Sequence, residues 1–109
     1  MKYVTPDEAY DYFLRTLSNR NRIKILNELL EGPKNVGAIT QKLGTSQSAV
    51  SNNLSRLKIC GFVTVKPNGK ERIYVLNTET IEPLMKLINK HVITYCTECI
   101  KRDKKGTLQ

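Results

Sequence analysis

The 109-residue chain has no tryptophan, a single histidine and only three cysteines. With one histidine, scattered carboxylates and no glycine-rich phosphate loop, no set of acid, base and nucleophile can be assembled, and no enzymatic activity is expected. An odd, irregularly spaced set of cysteines is not the framework of a small secreted domain, and points to a reducing compartment. No apolar run approaches the ~20 residues that span a bilayer, and no charged-then-apolar leader opens the chain. A cytoplasmic location without a membrane partner is expected. The most informative absence is local: between Thr45 and Lys70 there is neither aspartate nor glutamate.

What is present is positive charge, 18 basic against 10 acidic residues for a net +8. A surface of that sign attracts nucleic acid. The length allows one small core, so residues 1–101 are expected to form one domain, followed by a basic tail at 102–109 that is compatible with disorder.

The acid-free stretch predicts a helix over Thr45–Gly61. Val50, Leu54 and Leu57 recur at i, i+4 and i+7 and form its apolar stripe. The other face carries Gln47, Ser48, Ser51, Asn52, Asn53, Ser55 and Arg56, preceded by Ser46. An ordinary solvent face mixes Lys with Glu, whereas amides, hydroxyls and guanidinium without carboxylates suit phosphates and base edges. The stretch reads as a recognition helix.

The flanking segments support it. Thr5-Pro6-Asp7-Glu8 is a capping box with proline in the first turn, opening a helix to about Leu17. Ser18 or Asn19 caps a second helix, Arg20–Glu31, apolar around much of its circumference and closed by Gly32-Pro33. Asn35 caps a short helix, Val36–Leu43, and Gly44 turns the chain into the recognition helix, a helix-turn-helix pattern. Then the period becomes two: Phe62–Lys66 and Glu71–Leu76 predict strands joined by Pro67-Asn68-Gly69-Lys70. Lys66, Lys70 and Arg72 lie at or near the tip, which suits a wing on phosphate or in the minor groove. A last helix is expected from Thr78 or Thr80 to about Ile100. At about 100° per residue it gathers Ile81, Leu84, Met85, Ile88, Val92, Tyr95, Cys96 and Cys99 on one stripe, long enough to imply a dimer.

Taken together, SNRNRIKILNELLEG, AITQKLGTSQSAVSNNLSRLKICGFV and the hairpin ending ERIYVL resemble the ArsR/SmtB type of winged helix-turn-helix repressor. The resemblance implies a mainly α fold with a β-hairpin wing and dimerisation helices at both ends. It also implies a homodimeric, sequence-specific binder of double-stranded DNA. Carried onto this chain, Gln47, Ser48, Ser51, Asn52 and Arg56 would face DNA, with Lys66, Lys70 and Arg72 as wing contacts. Many members sense metal through cysteines in the helix before the recognition helix, and VGAITQKLG has none. The competing class is a winged-helix module for protein partners with loose, non-specific nucleic-acid contact.

Cysteine chemistry remains open between three readings. Cys96 and Cys99 share a helix face in C-x-x-C spacing, with His91 at its edge as a weaker third ligand. They fit plain packing, a zinc or other thiophilic metal site completed by a second subunit, or a disulfide switch. Cys60 fits core packing.

Overall fold

The helices of the first half of the chain begin where a capping residue places them. Thr5 Oγ1 accepts from the Glu8 N–H at 3.1 Å while the Glu8 carboxylate accepts from the Thr5 N–H at 2.8 Å, opening α1 (Pro6–Leu17). Asn19 accepts from the Arg22 N–H at 3.0 Å and opens α2 (Arg20–Leu30). Asn35 accepts from the Ala38 N–H at 2.7 Å and opens α3 (Val36–Leu43). These bonds satisfy N–H groups that have no partner within their helices.

The computed structural model describes residues 4–104, in two compact units divided after Asn77. In the first unit, α3 ends on Gly44 at φ 66°, a left-handed conformation that glycine adopts without Cβ strain, and the chain turns at once into α4 (Gln47–Ile59). The helix therefore starts two residues later than the sequence pattern suggests, because Thr45 and Ser46 are used for the turn and the cap. Core side chains come from three helices and the hairpin: Ile25, Leu26 and Leu29 of α2, Ile39 of α3, Val50, Leu54 and Leu57 of α4, then Phe62, Val63, Tyr74 and Leu76. Full burial of one such side chain stabilises by roughly 1.5 to 3 kcal/mol. Phe13 stacks on Phe62 at 5.4 Å between ring centroids and joins α1 to this core.

The sheet corrects two expectations. Strand β2 (Val63–Asn68) is longer than anticipated and pairs in antiparallel register with β3 (Glu71–Leu76), so the turn is only Gly69-Lys70, with Gly69 at φ 65°. Pro67 is tolerated inside β2 because that strand lies at the sheet edge. A third strand, β1 (Lys34–Asn35), pairs with β3 on its other side, giving the order β1-β3-β2. Two residues carry too little pattern for a strand to be read from sequence. Lys34 there forms an ion pair with Glu28 of α2, whose side chain is only 8% exposed, and lies 3.7 Å from Glu31. The hydrogen bond between them lowers the Glu28 pKa and raises that of Lys34, against the opposing effect of desolvation.

The second unit is one run of helix: α5 (Ile81–His91), a π-helical stretch (Val92–Cys96) and α6 (Thr97–Lys104). The Thr97 N–H reaches back to the Val92 carbonyl, and Thr97 Oγ1 donates to the Ile93 carbonyl at 2.8 Å. A π turn holds an extra residue, so the residues beyond it are rotated by about one position relative to an ideal helix. Along the predicted stripe Ile81 and Met85 are buried, whereas Val92 and Tyr95 are exposed, as are Ile93 and Ile100 beside them. Arg102 to Lys104 are helical and do not belong to a structureless tail. The rest of that tail, 105–109, lies outside the described residues.

Candidate nucleic-acid interface

Three buried side chains decide which face α4 presents. With Val50, Leu54 and Leu57 in the core, Ser48, Asn52 and Ser55 point away from it into solvent, and Gln47 and Lys58 are exposed on one flank. Ser51 is half-buried on the same flank. Ser46 Oγ accepts from the Ala49 N–H at 3.1 Å and lies 3.4 Å from Ser48 Oγ, so this hydroxyl caps the helix at the edge of the exposed face.

The opposite flank of α4 is occupied from within. Arg56, expected on the DNA side, lays its guanidinium over the Tyr12 ring at 4.5 Å from the centroid, and its Nε is buried without a hydrogen-bond partner. Its position reflects helix geometry: Arg56 shares a flank with Asn53 and Cys60, and that flank meets α1 and α2. Asn53, read from sequence beside Asn52 on the polar face, accepts from Arg22 Nη1 at 3.2 Å. Cys60 Sγ lies 3.1 Å from Thr16 Oγ1, which itself donates to the Tyr12 carbonyl at 2.9 Å, so the thiol is the donor to Thr16. Nothing in the local pattern marks Arg22 as a partner of Asn53, since 31 residues separate them.

The hairpin carries its three cations in distinct places. Lys66 stands opposite Ile73 and Arg72 opposite Pro67. Adjacent positions on a strand face opposite ways, so Lys66 lies on the outer face with Thr64. Arg72 lies on the face that further down holds Val63, Tyr74 and Leu76 in the core. Lys70 is in the turn, and all three are exposed. The remaining charge near the tip, Glu71, accepts from Asn35 Nδ2 at 3.1 Å.

Cys96 is half-buried and Cys99 exposed. His91 packs its ring against Tyr95 at 5.0 Å. Among the described residues no three histidine, cysteine or acidic side chains of one chain come together to hold a metal ion. No helix among them is long and apolar enough to cross a membrane.

A tight-turn helix pair with a polar, acid-free second helix, continued by a hairpin with a basic tip, defines a winged helix-turn-helix protein. Residues 19–65 match the model of the bacterial regulatory protein, arsR family. The chain is 32% identical over 85 residues to the biofilm growth-associated repressor of Xylella fastidiosa, covering 78% of this chain and 72% of that protein. It is 29% identical to the transcriptional activator HlyU of Vibrio cholerae, covering 76% and 74% of the two chains. With some other relatives the match spans about half of their length. Among solved structures, the homodimeric winged helix-turn-helix DNA-binding domain Mb0332 of Mycobacterium bovis superposes with a TM-score of 0.76 over 87% of this chain and 93% of that one, at 24% identity. The chain belongs to the arsR family of bacterial regulatory proteins and is a winged-helix, DNA-binding transcriptional regulator.

Proposed function

We propose that this regulator is a cytoplasmic homodimeric repressor that reads an inverted-repeat operator. The observation that carries the reading is the solvent face of α4, where Gln47, Ser48 and Asn52 stand exposed on a helix without a carboxylate. Asn52 and Gln47 contact base edges, since their amides can bond adenine in bidentate fashion. Ser46, Ser48 and Ser51 bond phosphate or base at the helix start. Lys66, Lys70 and Arg72 meet the backbone from the wing. Arg56, held on Tyr12, supports the helix from behind.

Dimerisation is supported by apolar surface that each unit leaves exposed. In the first unit Val4, Tyr10, Tyr12 and Leu14 are exposed on or beside α1, and in the second Leu87, Val92, Ile93, Tyr95 and Ile100 are exposed. A second copy is the self-complementary partner that covers both. Repression is the role named for the Xylella relative and activation the one named for that of Vibrio cholerae; mapping the operator relative to the promoter tests the choice of repressor.

A zinc or other thiophilic ion at Cys96 and Cys99 fits only as an intersubunit site. One chain supplies two thiolates, and four thiolates from two chains complete a tetrahedron. The test of the whole reading is binding to the protein's own promoter region against random duplex at fixed salt. A regulator prefers the former by ~10³ or more, whereas equal binding would favour a protein-interaction module.

A further inference from the structure

We propose that Arg22 is a positioning residue that sets the orientation of the recognition helix, and that sequence preference, more than affinity for DNA as a polyanion, depends on it. The inference rests on α4 being the helix that reads bases.

Arg22 is held at both ends. Its backbone N–H is fixed by the Asn19 cap in the first turn of α2. Its guanidinium reaches back to the end of α1, where Nε donates to the Thr16 carbonyl at 2.6 Å and Nη2 to the Arg15 carbonyl at 3.1 Å. Carbonyls in the last turn of a helix lack intrahelical partners, and a cation there also complements the helix dipole. The third arm, Nη1, donates to Asn53 Oδ1 of α4 at 3.2 Å. One planar fork thus ties three helices at a single point, which a lysine cannot reproduce because its ammonium is a single point of charge.

The bond fixes rotation as well as distance. Asn53 is the immediate neighbour of Asn52, and neighbours on a helix diverge by about 100°. Holding Asn53 inward holds Asn52 outward. Arg56 on Tyr12 and Cys60 on Thr16 brace the same flank of α4 further along, so Arg22 governs the N-terminal half, where Gln47, Ser48 and Asn52 lie. If the helix rolls, an amide that must meet a base edge in bidentate geometry loses its partner, whereas contacts to phosphate tolerate small displacements.

The experiment uses the full chain and a duplex that the wild-type protein selects from a random library. Affinity for that duplex and for random duplex is measured at several salt concentrations for Arg22→Lys, Asn53→Ala and the double variant. Arg22→Lys keeps the charge and removes the fork. Asn53→Ala removes only the acceptor on α4 and leaves the α1 carbonyls bonded, so it carries the test if Arg22→Lys does not fold. Each single change is expected to lower the ratio of selected to random affinity about tenfold, with the double variant no lower than the worse single. Affinity for random duplex and its salt dependence stay at the wild-type values. Equal losses on both duplexes, or an unchanged ratio, would overturn the inference while leaving the function intact. A wild-type protein that selects no sequence would overturn the function, and this inference with it.

Discussion

Neutralising the wing tests the interface quantitatively, because the hairpin register says how its three cations are deployed. Lys66 and Arg72 are on opposite faces of the ribbon and Lys70 is in the turn between them. Tip-first entry of such a ribbon into a groove would bring each cation to its own phosphate. Each contact contributes about 0.9 to the slope of log affinity against log salt, so the three together account for about 2.7. Across a fourfold rise in salt, from ~50 to ~200 mM, each contact accounts for a loss of roughly 3.5-fold in affinity. Lys66→Gln, Lys70→Gln and Arg72→Gln should each flatten the slope by about 0.9, additively in the triple variant, on selected and random duplex alike. Fluorescence anisotropy of a labelled duplex titrated across a series of salt concentrations gives the slopes. A triple variant whose slope differs from wild type by less than about one unit would refute the tip-first placement, and an unchanged slope would remove the wing from DNA altogether.

The same structure sets further expectations for bases, dimer, ion pair and metal. Asn52→Ala and Gln47→Ala should each cost ~1 to 3 kcal/mol on the selected duplex and far less on random DNA, measured by equilibrium binding; equal costs would assign them to the backbone. Leu87→Glu combined with Ile93→Glu places charge on exposed apolar surface of the second unit, and sedimentation at micromolar concentration should show the wild type as a dimer and the variant shifted to monomer. In thermal unfolding across pH, the stabilisation from the lowered Glu28 pKa is present above the ordinary carboxylate range and disappears as pH falls through the folded value. That from the raised Lys34 pKa is present below the ordinary lysine range and disappears as pH rises through its folded value. Glu28→Gln should therefore destabilise at neutral pH and converge with wild type in acid, and a constant difference at all pH values would contradict the ion pair. Finally, purified protein should carry about one zinc per dimer and lose it in Cys96→Ser, as read by elemental analysis; if both cysteines become serine with metal content, dimerisation and DNA binding unaltered, the pair only packs.

The helix starts and the tight turn of the first unit are local in origin and legible one by one. The Thr5 capping box, the Asn19 and Asn35 caps and the left-handed Gly44 are formed by residues within three or four positions of each other. Val50, Leu54 and Leu57 likewise declare the buried side of α4 through spacing alone, and with it the exposure of Ser48 and Asn52. What spacing cannot reveal is what lies across a tertiary contact. The two-residue strand β1 exists only because β3 offers it partners, and Pro67 is admitted to β2 only because that strand is at the edge. Periodicity at an ideal helical pitch also misses the π turn at Val92–Cys96, where one extra residue rotates the remainder of the helix.

The flanks of α4 show the division most sharply. From sequence alone, Asn52, Asn53 and Arg56 are three polar residues on the non-apolar side of a helix without acids, and Asn52 and Arg56 are expected to face DNA. The tertiary structure separates them, sending Asn53 to Arg22 and Arg56 to the Tyr12 ring while Asn52 stays in solvent. The sequence by itself determined which side of the acid-free helix is presented to solvent, because burial of its apolar stripe is a one-dimensional pattern. Which of its polar side chains stay free of intramolecular partners on that side was decided only by packing, because the partners that claim Asn53 and Arg56 lie 31 and 44 residues away.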